Sequence, residues 1–217
     1  VDTSSANIYL GTTLNKDLDA TVIYNLRRET AVGMTKEIKK SRLVKLDMST
    51  SNTTGPWSLG LPDVLRVRGV YQGNSTVTPG PYSTSNKNIL DYFNVDNGQR
   101  DDQYDTGRLY LNPGYRLNTT DRLLVVLDHF THNKSGGVGF LSVESYPIDD
   151  ANTSNTTAIT TQEIPFFTGS NGIKLDLRDC IDFRPIKANT ANSTTTLSEA
   201  TINPVNGNTF DIASGGA

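Results

Sequence analysis

The chain has 217 residues, a net charge of -3, a pI near 5.4 and a hydrophobic fraction of only 35%. With that charge and no basic tract, strong attraction to a nucleic-acid backbone is excluded. Its single cysteine excludes an internal disulfide, and no apolar run is long enough to cross a bilayer as a helix.

The first residue is Val1, so the chain reads as a processed product or a piece of a longer polypeptide. Two strand-like runs open it, Asn7–Leu10 and Ala20–Leu26. Residues 1–35 are therefore expected to complete a preceding module. The next strand is expected within 36–47, around Ile38 and Leu43–Leu46. Lys36, Lys39, Lys40 and Arg42 in that stretch read as a solvated face rather than a phosphate site. Ser49–Pro56 has the composition of a loop. Gly60 and Pro62 mark a tight turn leading into a strand over Asp63–Tyr71. Gly73–Asn88 is a long polar loop and a candidate contact surface.

Asp96-Asn97-Gly98 favours a turn with positive φ. Arg100 then stands among Asp96, Asp101, Asp102 and Asp105. A calcium loop needs oxygen ligands at fixed odd positions, a central Gly and a closing Glu. That pattern is absent, and Arg100 would oppose a cation. Asp96, Gly98, Arg100 and Asp101 are read as a structural turn.

Leu123–Phe130 is a nearly continuous apolar run of strand length, suited to a central strand. With Asn133–Gly137 as turn and Val138–Tyr146 as returning strand, it forms the strongest hairpin signal in the chain. Further on, Ile173, Leu175 and Leu177 alternate with Lys174, Asp176 and Arg178, which predicts a strand with one buried and one wet face. Arg178, Asp179, Asp182 and Arg184 crowd around Ile181 and Phe183 before Pro185 stops the ladder. Bare charges beside apolar anchors are costly, so these four read as a structural ion-pair corner. The alternative is a catalytic carboxylate pair, Asp179 and Asp182, of the kind that cleaves glycosides. The adjacent arginines argue instead for permanently ionised, paired carboxylates. Cys180 reads as a small buried residue. Residues 188–217 lose core-forming periodicity and read as an extended arm or linker, with at most a short strand at 208–212.

No helix of normal length stands out, and strands recur about every ten to twenty residues. The expected fold is all-β, an immunoglobulin-like or related β-sandwich over 36–187 with long loops and extended terminal arms. Little catalytic chemistry is legible. His129 and His132, three apart on a strand, point to opposite faces and lack a third ligand. No Gly-x-Ser-x-Gly elbow occurs, and no helix follows Gly136–Gly139. No cofactor and no enzymatic activity are expected. Tyr71, Tyr82, Tyr92, Tyr104 and Tyr115, if exposed in loops, could stack on sugars. That leaves a receptor- or glycan-binding module as the alternative.

Five strings recur in a familiar order: Leu59–Val64, Asn97–Asp105, Leu123–Phe130, Ser142–Tyr146 and Leu177–Pro185. Together they resemble a domain-of-unknown-function family of virion structural proteins of tailed phages, including marine and cyanobacterial myoviruses. The resemblance covers about residues 36–187. It implies a tail-fibre or baseplate component that is assembled in the host cytoplasm and resides in the virion tail. Its partners would be other tail proteins, further copies of itself and a host surface receptor. Neither nucleic acid nor membrane insertion is implied, and the family has no catalytic residues to carry over.

Overall fold

The computed structural model describes Thr21, residues 33–76, 80–133, 139–149 and 157–186, and the strand backbones of 198–202 and 210–212. The chain divides into two compact units, Val1–Thr30 and Ala31–Ala217. The strands expected at 7–10 and 20–26 lie outside the described residues, apart from Thr21.

Among its described residues the second unit is all-β, with antiparallel sheets. Its strands are β1 (Thr35–Asp47), β2 (Trp57–Pro62), β3 (Val64–Asn74), β4 (Lys87–Asn88), β5 (Phe93–Asp96), β6 (Thr106–Leu111), β7 (Asp121–Asn133), β8 (Phe166–Thr168), β9 (Lys174–Asp176), β10 (Ser198–Ile202) and β11 (Phe210–Ile212). Helix among the described residues is limited to three short 3-10 turns, at Leu90–Tyr92, Val143–Ser145 and Thr161–Glu163. A six-stranded sheet runs β11-β10-β1-β7-β3-β4, a three-stranded sheet β2-β6-β5, and β8 and β9 form a separate hairpin. The region read as a terminal arm thus carries β10, which pairs with β1, as well as the strand anticipated near 210.

β7 sits between β1 and β3, and this explains its unbroken apolar run. Leu123, Val125 and Leu127 join one core cluster with Val44, Leu46 and Val70 of the large sheet and Trp57, Leu59, Phe93 and Leu109 of the small one. On the other face Leu124 and Val126 pack with Leu43, Tyr71 and Tyr82. With both faces covered, β7 is apolar at every position from Leu123 to Leu127, whereas burial alternates over Thr35–Lys39 of β1.

Two expectations about strands are corrected. Val138–Tyr146 is not a returning strand: residues 143–145 form a 3-10 turn, and Leu141 makes only an isolated bridge to Asp182. Both edges of β7 are already taken by β1 and β3, so no ladder is left for a hairpin partner. Conversely, residues 57–62 are a strand rather than a turn leading into one. Trp57 and Leu59 alternate inward, and the strand pairs with β6 despite the positive φ of Gly60.

A bulge divides β1 between Lys39 and Arg42, where Ser41 has φ 54°. The buried Asp128 carboxylate of β7 holds it by accepting the Ser41 N–H at 2.8 Å, and also binds Arg66 Nε at 2.7 Å and Arg68 Nε at 2.8 Å. Ahead of the bulge Ile38 packs with Phe130, Tyr146, Ile164 and Phe167 in a second core, while Val44 and Leu46 beyond it face the first.

Candidate functional site

A buried polar cluster lies against the second core. β1 and β7 pair Lys36 with His132 across the ladder. Lys36 shares its face of β1 with Ile38, so its stem runs into the core and the residue is only 2% exposed. Its Nζ donates to Asp63 Oδ2 at 2.6 Å, Tyr146 Oη at 3.1 Å and Tyr104 Oη at 3.3 Å. The same ammonium lies over the rings of Tyr146, Tyr104 and Phe130, 4.5–5.3 Å from their centroids.

Asp63 occupies the one-residue break between β2 and β3, with φ 50°. Asp is among the few non-glycine residues that adopt this conformation readily. The kink aims its carboxylate inward, where it also meets His132 Nε2 at 2.9 Å and accepts from Gln99 Nε2 at 3.1 Å. Burial would push this carboxyl up, but the Lys36 ammonium and His132 outweigh burial and hold it well below the usual carboxylate range.

A second ion pair closes the cluster from the far side. Arg184 donates to both oxygens of Asp182, at 2.9 and 2.8 Å, and to the Arg100 carbonyl at 2.8 Å. Its guanidinium lies 4.1 Å from the Phe167 ring centroid and 4.7 Å from that of Tyr104. The Tyr104 hydroxyl donates to Asp182 Oδ2 and accepts from Lys36, linking the two ion pairs. Burial first, then the neighbouring carboxylates, push the Tyr104 and Tyr146 hydroxyls far up, so both stay protonated donors. Two buried cations thus face two carboxylates, and the cluster is internally compensated.

The expected ion-pair corner is only half assembled. Asp182 and Arg184 pair as anticipated. Arg178 instead binds Asp176 at the surface, and Asp179 is exposed in a turn whose N–H bonds the Asp176 carbonyl. Asp179 and Asp182 therefore stand in different environments and form no carboxylate pair. Cys180 is half-buried, with Sγ 3.0 Å from the Asp176 carbonyl. Ile173, Leu175, Ile181 and Phe183, read as the buried face and its anchors, are exposed; only Leu177 points inward.

In the turn, Arg100 forks onto Asp96 at 2.9 and 2.7 Å. Asp101 is exposed and accepts the Ser170 N–H at 3.0 Å. Gly98 has φ 84°, and a Cβ there would come within 2.1 Å of the Asp105 carbonyl oxygen. Gly98→Ala is expected to cost about 2–4 kcal/mol in urea denaturation, combining left-handed strain with overpacking. A loss under ~1 kcal/mol would show that the loop yields.

Asp63, Gln99 and Tyr146 carry no role in the sequence reading, which places Lys36 on a solvated face, Tyr104 among possible sugar-stacking tyrosines and His132 at a strand end without a metal. One signal could have found Lys36: it shares the face of Ile38 and alternates with Glu37 and Lys39. Among the described residues, no group of three or more His, Cys, Asp or Glu is placed to hold a metal ion. The Lys36 ammonium occupies the position beside Asp63 and His132 where a cation would sit. The tyrosines do not form one surface either. Tyr104 is wholly buried, while Tyr92 and Tyr115 stack on each other with centroids 4.0 Å apart.

Compared with family models, with curated proteins and with solved structures, the chain matches none.

Proposed function

We propose that this chain is a structural part of a tailed-phage virion, an assembly module of the tail baseplate or of a fibre attached to it, with no catalytic role. One observation carries the non-catalytic half of the reading. The titratable groups that the fold gathers, Lys36, Asp63, Tyr104, Asp182 and Arg184, spend their hydrogen bonds on one another and balance in charge. A general acid or base needs access to substrate and a pKa near the working pH. Here the carboxylates are held low and the phenols high. Such a cluster ties distant segments together, which suits a part that bears load.

The phage assignment rests on the order of the five strings Leu59–Val64, Asn97–Asp105, Leu123–Phe130, Ser142–Tyr146 and Leu177–Pro185. It makes other tail proteins and further copies of this chain the partners, and the virion tail the location. No helix among the described residues is long and apolar enough to cross a membrane. Electron microscopy of virions labelled with an antibody against this chain tests the assignment. Gold at the tail supports it, and label confined to the cytosol of infected cells overturns it.

Receptor or glycan binding is the second reading, favoured by the half-exposed Tyr115 over Tyr92. Purified chain that adheres to host cells, and a Tyr115→Ala variant that does not, would establish it.

A further inference from the structure

Lys36 is the only buried lysine among the described residues, and its Nζ rests 2.6 Å from Oδ2 of the equally buried Asp63. An ion pair needs no more than this. The groups around the pair, however, divide by oxygen. Oδ2 faces two nitrogens, Lys36 Nζ and His132 Nε2, the latter at 2.9 Å. Oδ1 accepts from Gln99 Nε2 at 3.1 Å. A carboxylate offers only acceptors, so the proton of a neutral His132 sits on Nε2 and is aimed at Oδ2. His132 Nδ1 is buried without a hydrogen-bond partner among the described residues, as befits the bare nitrogen of that tautomer. An oxygen that takes two protons leaves as water, and an oxygen held by an amide N–H is placed to become the oxygen of a new amide.

We infer that Lys36 and Asp63 condense to an intramolecular isopeptide bond between Nζ and Cγ, with Oδ2 leaving as water. The atoms balance without a further reactant. One ammonium proton crosses the 2.6 Å hydrogen bond to Oδ2 and frees the amine. Low polarity around the pair eases this step, because both charges vanish together. Nζ then attacks Cγ, and Gln99 Nε2–H meets the oxyanion that develops at Oδ1. A second proton passes from the nitrogen to Oδ2. His132 Nε2 relays it by giving its own proton and taking that of the nitrogen. The Cγ–Oδ2 bond breaks, and one N–H remains on the new amide. The hydroxyls of Tyr146 and Tyr104 hold Nζ in place, at 3.1 and 3.3 Å.

Free ionised amines and carboxylates do not condense in water, and the fold supplies what is missing. Well-oriented intramolecular reactions reach effective molarities of about 10⁵–10⁸ M. The buried rings of Phe130, Tyr104 and Tyr146 surround Nζ, 4.5–5.3 Å from it, and shield the product from hydrolysis. The bond ties the start of β1 to the break between β2 and β3, 27 positions further on. It goes beyond the assembly reading and does not depend on it. Until closure the two groups act as the ion pair already described; after closure Asp63 has no carboxylate left to titrate.

Intact-mass spectrometry of the full chain, followed over days after refolding at neutral pH, should show most molecules becoming lighter by one water. A tryptic map should then join the peptide that carries Lys36 to the one that carries Asp63, with no cleavage after Lys36. That linkage separates the reaction from water lost by succinimide closure at another aspartate. Lys36→Arg should keep its full mass. Should that variant not fold, the unaltered chain held in denaturant takes its place, since the reaction needs the folded site. A mass that never falls, a loss that persists in Lys36→Arg or in denaturant, or a map that joins other residues would each overturn the inference.

Discussion

Lys36→Met is expected to cost the domain about 3–5 kcal/mol, roughly a fifth or more of the stability of an ordinary domain. The methionine keeps most of the stem that packs beside Phe130 and Ile38, so lost packing is minor. What changes is electrostatic. Asp63, 1% exposed, loses its only full cation and is left with His132 and Gln99. The hydroxyls of Tyr104 and Tyr146 lose the donor that fixes them. Asp63→Asn should cost a similar amount from the other side, because it strands the Lys36 ammonium among three aromatic rings. Asn also tolerates the positive φ at this position, so the substitution removes charge without adding backbone strain. The double variant should then lose less than the sum of the singles, by about 1–3 kcal/mol. Urea denaturation of all four proteins measures this. Singles that each lose under ~1 kcal/mol, or that add without coupling, would show that the ion pair does not clamp the second core.

The strands of the large sheet were legible because burial there follows a local rule. In β7 both faces are covered, and the apolar run says so; in β1 the consecutive Leu43 and Val44 are buried on opposite faces, and Val44 and Leu46 share one of them at period two. The failures have a different physical origin. Period two tells which residues share a face, not whether that face is covered. Ile173 and Leu175 alternate as faithfully as a core strand, yet they lie on a two-stranded hairpin. The clamp was illegible for a related reason. Lys36 meets Asp63 across 27 positions, Tyr104 across 68 and Tyr146 across 110, and no short motif spans those separations. Asp182 with Arg184 was found because those two are neighbours in the chain. Arg178 and Asp179, equally close to them, were assigned to the same corner, although the turn after β9 carries both to the surface.

Acid should unfold this domain steeply, and the steepness should come from three buried carboxylates. Asp63, Asp128 and Asp182 all have side chains 10% exposed or less. Burial would raise each of them. For Asp63 it is outweighed by Lys36 and His132, for Asp128 by Arg68, the Ser41 N–H and Arg66, and for Asp182 by Arg184 and Tyr104, so all three titrate below their ordinary 3.8. A depressed folded pKa means that the unfolded chain binds protons first. The stabilisation is therefore complete above the unfolded value near 3.8, and is lost as pH falls from there through the folded values. In that window three protons taken up on unfolding would give a slope approaching about 4 kcal/mol per pH unit. Asp63→Asn removes one of them and should flatten the slope by about a third, at the cost in stability argued above. Urea midpoints collected from pH 6 down to pH 2.5 read both quantities. A profile without slope below pH 4, or an Asp63→Asn profile parallel to that of the unaltered chain, would mean that these carboxylates are not tied up in the fold. The same window sets where the module should fail as a building part: the clamp between β1, the β2–β3 break and the segment after β9 loosens only when its carboxylates take up protons.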